Sequence, residues 1–272
     1  MNPNKKSLPT IKILTAIAQQ AGKVLIENFR MNNFIYARKP GKANIVTNID
    51  REVQRLIIKE LTQRFPNTPT IGEEDGDMMR KCDETFFLVD PLDGTLNFVH
   101  GLPFFAISIA LVKGDKPIAG VVHAPVLKET FAAVLNCGAF MNGQRIQCYK
   151  SLPCDEALGT TGWPYHLDLI PWAQRALLAM QRDIQEVRIL GAAALELCYV
   201  AAGIIDIYWE VGLQPWDLAA GSLIVSEAGG KIGDINGNAF NLLSGQILAA
   251  RNEQLYQCAV HTLKICKNEQ FQ

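Results

Sequence analysis

From Pro9 to about Arg30, apolar residues recur at Leu14, Ile17, Ala18, Ala21, Val24 and Leu25. That is the spacing of one helix face, with a proline near its start. A second stripe, Ile49, Val53, Leu56, Ile57, Leu61 and Phe65, predicts a helix opened by residues 45–50 and closed by Pro66 and Pro69. Thr47 and Asp50 stand three apart in it, as the two partners of a capping box do. The stretch Arg38-Lys39-Pro40-Gly41-Lys42 between the stripes is polar and basic and reads as a solvated loop. At Phe86-Phe87-Leu88-Val89 the periodicity disappears into a short unbroken apolar run, which predicts a buried strand. Its ladder is expected to stop at Asp90, because Pro91 has no N–H to donate. Further strands are predicted over Ala106–Val112, Pro117–His123 and Thr130–Leu135, and Met141-Asn142-Gly143-Gln144 carries a hairpin turn. Strands joined by such short turns form an antiparallel meander, not alternating βαβ units.

In the second half, residues 152–160 read as a linker and strand, followed by a helix over Pro171–Asp183 and a strand over Val187–Leu190. Gly191-Ala192-Ala193-Ala194 starts another helix, which Gly203 closes. A strand over Ile204–Glu210 precedes a helix that opens at Trp216-Asp217 and stops at Ala228-Gly229-Gly230. Strands near Lys231–Asp234 and Gln246–Ala250 and a closing helix from Asn252 complete the chain. The pattern predicts an α+β protein with halves at residues 1–150 and 151–272, sharing one cleft as one compact unit.

Composition narrows the function. With 272 residues, 49% of them apolar, the chain has material for an extensive core. A net charge of −1 and the absence of long charge runs argue against a nucleic-acid or membrane partner. The seven cysteines include no C-x-x-C pair and read as reduced thiols of a cytoplasmic protein, not as a disulfide framework or zinc site.

The predicted central strand ends in Asp90-Pro91-Leu92-Asp93-Gly94-Thr95. Two carboxylates and freely turning backbone thus gather at the carboxyl end of a strand, where α/β sheets bind ligands. Asp50, Glu73 and Asp217 are further candidates, each of which alone would pass for a helix-start or solvated acid. All-oxygen ligation suits Mg²⁺ or Mn²⁺. Five acids suffice for a site of two or three metals that cleaves phosphate esters, with Thr95 and Asp50 positioning the water. Phosphatases that form an aspartyl-phosphate need one residue between their acids. Here there are two, which turns the side chains to different faces of an extended strand.

The segments Asp90–Pro103 and Trp216–Gly230 resemble the two signature motifs of the inositol monophosphatase family, and residues 46–50 and 71–74 are similar to its two earlier motifs. Residues 192–203 and 208–210 resemble its substrate-side region, and the stretches around Gly191 and Trp209–Asp217 its bacterial, extragenic-suppressor branch. The similarity runs from about residue 10 to 265. It implies an αβαβα layered sandwich, a homodimer, and Mg²⁺-dependent, lithium-sensitive hydrolysis of myo-inositol monophosphate. By the same resemblance Glu73, Asp90 and the Leu92 carbonyl hold one metal, Asp90, Asp93 and Asp217 a second, and Glu73 helps a third. Asp50 and Thr95 activate water, Gly94 and Thr95 amides meet the phosphate, and Asp93, Ala193, Glu210 and Asp217 face the ring hydroxyls. Lys39 matches a lysine on a mobile loop near the metals. Two positions depart from the family pattern: Asn44 replaces an aspartate, and Ala192 stands where a hydroxyl side chain is common. Related esters (fructose-1,6-bisphosphate, histidinol phosphate, 3′-phosphoadenosine 5′-phosphate) are alternative substrates, and a protein partner in transcription antitermination is an alternative role.

Overall fold

The computed structural model describes residues 4–31, 34–39, 44–75, 84–148 and 152–265. The first apolar stripe forms α1 (Asn4–Asn28), and Leu14, Ile17, Ala18, Ala21 and Leu25 are buried along it. The segment after it is only partly loop. Tyr36–Arg38 (β1) pairs antiparallel with Ile45–Thr47 (β2), while residues 40–43 of the basic stretch lie outside the described residues. Consequently α2 (Asn48–Arg64) begins later than expected, since residues 45–47 are extended and Thr47 is its N-cap. Both halves of the capping box with Asp50 are made.

A seven-stranded sheet follows, built from β3 (Thr70–Gly72), β4 (Thr85–Asp93), β5 (Ala106–Lys113), β6 (Lys116–Ala124), β7 (Glu129–Val134), β8 (Gly138–Met141) and β9 (Gln144–Ile146), in that spatial order. Only β3 and β4 are parallel; the rest is the predicted meander. The strand β4 corrects one expectation, because Pro91 does not end it. The register slips between Asp90↔Ser108 and Asp93↔Ala106, and pairing resumes beyond the proline. An irregularity of this kind is where a strand tolerates a residue without an N–H. A short helix, α3 (Thr95–His100), then leaves the strand end.

The second sheet combines β10 (Leu158–Thr161), β11 (Glu186–Arg188), β12 (Ile207–Val211), β13 (Lys231–Gly233) and β14 (Gln246–Ala250) in the order β11-β10-β12-β14-β13. Here β10 is parallel to both neighbours, a crossover arrangement that the meander pattern of the first half does not share. The helices of this half are α4 (Ile170–Asp183), α5 (Ala193–Ala201), α6 (Pro215–Glu227) and α7 (Glu253–Ile265). The expected strand over 204–210 starts only at Ile207, after Gly203 has turned the chain at φ +69°.

Alternation along β4 explains the layering. Phe87 and Val89 pack with Leu14, Ile17, Val53 and Ile57 of α1 and α2, whereas Phe86 and Leu88 pack with Leu197, Leu223 and Ile224 of α5 and α6. Tyr208 and Ile247 of the second sheet join that central core from beyond the helices. The far face of the second sheet, through Ile207, Trp209 and Leu248, packs on Met180 of α4 and Tyr256 of α7. The architecture is therefore an α+β, αβαβα layered sandwich, as expected. Among the described residues no helix is long and apolar enough to cross a membrane.

The cysteine reading needs correction. Cys154 and Cys258 are joined by a disulfide, their Cα atoms 6.6 Å apart although 104 positions separate them in the chain. Cys258 lies on α7 and Cys154 in a single 3₁₀ turn before β10, a proximity that only the fold creates. Cys137, Cys148 and Cys198 are free, and Cys82 and Cys266 lie outside the described residues.

The central helices approach the first sheet closely. A Cβ on Gly120 of β6 would stand 2.9 Å from the Cα of Ala220 in α6, a backbone atom that cannot swing away. Gly120→Ala is therefore expected to lower the unfolding free energy by about 1–3 kcal/mol, the usual cost of overpacking, in urea denaturation.

Candidate active site

Five separate elements deliver acids to one place. At the end of β4, Asp90 is buried and its Oδ1 accepts the Leu92 amide at 2.9 Å. Asp93, also buried, is held by the N-terminus of α5, whose Ala194 and Leu195 amides donate to its Oδ2 at 2.8 and 3.3 Å. Asp217 occupies the third position of α6, and its Oδ2 accepts the Gln214 amide at 2.7 Å. It is a helix-start acid, as its position suggested, and it also lies in hydrogen-bonding reach of Asp90. Asp50, buried at the start of α2, accepts the Thr47 amide at 2.9 Å and the Thr47 hydroxyl. The Thr95 hydroxyl lies 2.9 Å from both Asp50 Oδ1 and the Leu92 carbonyl, and its single proton serves one of them at a time.

Glu73 and Glu74 sit in a 3₁₀ turn after β3. Lys39 Nζ bridges them, 2.8 Å from Glu73 and 2.5 Å from Glu74. Gly94 adopts φ +87°, and a Cβ there would meet the Phe104 carbonyl at 3.1 Å and the Ala192 methyl at 3.2 Å. Both the turn and the close approach to the α5 segment thus require glycine. Ala193 is the buried first residue of α5. Glu210 lies buried on β12 and accepts the Tyr208 hydroxyl at 2.6 Å. All the acids singled out in the sequence therefore converge on one cleft between the two sheets.

This convergence is electrostatically costly. Burial, then the charges of Glu73, Asp93 and Asp217, pushes Asp90 well above the usual carboxylate range. Asp93 is raised in the same way by burial and by Asp217 and Glu196. Asp217 is pushed up to about 7, again by burial first and then by Glu73. Burial raises Asp50 against the hydrogen bonds from Thr47 and Thr95, and raises Glu74 to about 7 despite Lys39. For Lys39 burial works against the charge, but Glu73 and Glu74 outweigh it and its pKa rises.

Desolvated carboxylates that raise one another, with no nitrogen or sulfur donor among them, are a donor set for a hard divalent cation. The residues fit such a metal. Among the described residues, no three His, Cys, Asp or Glu side chains close into a ligand cage by themselves. The Glu73 carboxylate lies on Lys39, and the Leu92 carbonyl is a further oxygen at the strand end.

Residues 7–268 match the model of the inositol monophosphatase family. The chain belongs to this family. The Nus factor SuhB of Pasteurella multocida is 36% identical over 97% of the chain and 98% of its own length. The fructose-1,6-bisphosphatase/inositol-1-monophosphatase of Thermotoga maritima is 42% identical over 76% of the chain and 78% of its own length. Among solved structures, the extragenic suppressor protein suhB of Bartonella henselae superimposes with a TM-score of 0.88 at 35% identity, covering 94% of this chain and 98% of that one. The chain is thus a phosphatase of the inositol monophosphatase family.

Sequence reasoning missed three residues beside this cleft. Glu74 shares Lys39 with Glu73. Tyr165, on the loop after β10, carried no spacing signal at all. Glu196 was the most legible of the three, as one acid within the apolar run Ala193-Ala194-Leu195-Glu196-Leu197. It is wholly buried, accepts the Ala192 amide at 3.1 Å and the Thr160 hydroxyl, and so ties α5 to β10.

Burial pushes the Glu196 carboxyl up to about 7 from 4.5, against its hydrogen bonds. A raised acid favours the folded state while it is protonated. Its contribution is full below about pH 4.5 and is lost as pH rises through about 7. In metal-free buffer, wild type is expected to lose about 3 kcal/mol more unfolding free energy across that window than Glu196→Gln, measured by urea denaturation at several pH values. Parallel pH profiles would contradict the assignment.

Proposed function

We propose that the chain is a Mg²⁺-dependent phosphomonoesterase that hydrolyses myo-inositol monophosphate to inositol and phosphate, as a cytoplasmic homodimer. The observation that carries this reading is the Thr95–Asp50 hydrogen bond of 2.9 Å beside the buried acids Asp90 and Asp93 and the half-buried Asp217. Such a pair can orient a water and take its proton.

Glu73, Asp90 and the Leu92 carbonyl would hold one Mg²⁺, Asp90, Asp93 and Asp217 a second, and Glu73 would assist a third; Mn²⁺ suits the same oxygens. A metal bound there would neutralise phosphate charge, stabilise the leaving alkoxide and lower the pKa of a water. The Thr95 hydroxyl donates its hydrogen bond to Asp50 or the Leu92 carbonyl and turns a lone pair to the attacking water. Burial makes Asp50 a stronger base than an exposed aspartate, which suits it to receive, through Thr95, the proton that the water gives up. Glu73 accepts from the same water, and Lys39 balances its charge when the site is open. Amides of Gly94 and Thr95 meet the phosphate oxygens. Asp93, Ala193, Glu210 and Asp217 line the side on which the ring hydroxyls bind.

The Thermotoga maritima relative, whose name includes both fructose-1,6-bisphosphatase and inositol-1-monophosphatase, supports this reading and keeps the bisphosphate as an alternative substrate. Histidinol phosphate and 3′-phosphoadenosine 5′-phosphate are further alternatives. A second role, as a protein partner of the transcription machinery, draws on the near-full-length similarity to proteins called Nus factor SuhB.

The test is phosphate release by purified protein with Mg²⁺ from each of these esters, with and without lithium. The proposal expects lithium-sensitive release with preference for myo-inositol 1-phosphate. Asp93→Asn, which removes a charge from the metal set, is expected to lose at least about tenfold in kcat/KM, since metal contacts supply several kcal/mol in the transition state. A smaller loss would refute the metal assignment. No release from any ester would refute the enzyme reading in favour of the protein-partner role.

A further inference from the structure

The loop that leaves β10 is pinned along the substrate side of the cleft by two glycines. Thr161, the last residue of β10, lies beside Trp209 of β12 in register, and its hydroxyl donates to the Trp209 carbonyl at 2.6 Å. The next residue, Gly162, lies directly under the Glu210 carboxylate: a Cβ there would stand 2.2 and 2.3 Å from the two carboxylate oxygens. Two residues later, Pro164 packs against Gly212 at the end of β12, where a Cβ would come within 3.1 Å of the proline Cβ. The chain between these contacts runs close beside Glu210 and the end of β12.

Tyr165 follows at once. It is 48% exposed. Burial of its phenol, then the carboxylates of Asp217, Glu73, Glu210 and Asp93 in that order, push its ionisation far above neutral pH. Four acids drawn from the start of α6, the Glu73 turn, β12 and β4 act on one phenol. The acids that act on the phenol are those of the candidate site, so Tyr165 stands beside them while about half of the residue stays open to solvent. An apolar ring face with a polar tip inside an acid-lined cleft matches one kind of ligand: a ring that carries both hydroxyls and C–H edges.

We propose that Tyr165 is a specificity-determining residue, whose ring covers the C–H face of a cyclic polyol phosphate and so selects cyclic over acyclic phosphomonoesters. The inference rests on the phosphomonoesterase reading above and extends it to substrate choice. Acyclic esters such as glycerol 2-phosphate offer the same phosphate to the acids but no ring face to Tyr165. The aromatic contact is present in the bound substrate and changes little as the phosphate reacts, so it should act on KM and leave kcat nearly unchanged.

Steady-state phosphate release from myo-inositol 1-phosphate and from glycerol 2-phosphate, with Mg²⁺, by wild type, Tyr165→Phe and Tyr165→Ala tests this. Thermal melting of each variant accompanies the kinetics. For the inositol ester, Tyr165→Ala is expected to raise KM about tenfold with kcat within about twofold, the scale of one lost aromatic contact. Tyr165→Phe should restore KM to within about threefold of wild type, because the ring is retained. For glycerol 2-phosphate, all three proteins should share the same KM. An equal loss on both esters, an unchanged KM for the inositol ester, or a loss seated in kcat would overturn the assignment of Tyr165. Wild type inactive on both esters would overturn the phosphomonoesterase reading itself, and the inference with it.

Discussion

Buried carboxylates that face one another without a compensating cation raise the free energy of the folded chain, and in this protein that repulsion is concentrated at one point. Asp90 and Asp93 are buried and Asp217 is half-buried; Asp93 and Asp217 raise the pKa of Asp90, and Asp217 raises that of Asp93. Left to themselves such groups would protonate or separate. They stay together because each is held by backbone that other requirements have fixed: Asp93 by the amides that open α5, Asp217 by the cap of α6, Asp90 by the amide of Leu92. The site is a set of anions clamped by peptide dipoles.

The fold makes those clamps rigid. The two central helices that hold Asp93 and Asp217 are packed between the sheets and approach the first sheet to backbone contact at Gly120 and Ala220. The irregularity that carries β4 past Pro91 sets Asp90 and Asp93 on the same strand but out of simple alternation. This lets one acid meet α6 and the other meet α5. Lys39 stands at the open edge, paired with Glu73 and Glu74, where positive charge is needed. The loop that carries Tyr165 begins at Gly162, directly under the Glu210 carboxylate.

Much of this was legible in the sequence because it follows from local periodicity. The stripes of α1 and α2, the meander, the hairpin at Asn142-Gly143 and the strand over 246–250 appear where the apolar pattern puts them. The acids were legible by type and motif, although each alone has an ordinary use as a cap or a solvated charge. Thr47 and Asp50 show both uses in one pair, since the capping box that starts α2 also fixes the carboxylate that meets Thr95. Long-range proximity was not legible. Nothing local in residues 36–47 reveals that β1 and β2 pair, and nothing in the spacing of Cys154 and Cys258 reveals their bond. The continuation of β4 through Pro91 depends on β5 accepting a slipped register, which is a property of the partner strand. Tyr165 was invisible for the same reason, as its neighbours come from four other elements.

The role proposed for the clamped acids is to hold a hard divalent cation. The most direct test is the thermal unfolding midpoint of the intact protein as Mg²⁺ is titrated from chelator-treated buffer to saturation. Binding to the folded state alone must raise the midpoint continuously with the logarithm of Mg²⁺ concentration above the dissociation constant. The account predicts that rise in wild type. A midpoint that stays constant from chelator to saturating Mg²⁺ would contradict it, and would mean that the acids are held together by the protein's own dipoles and Lys39 alone.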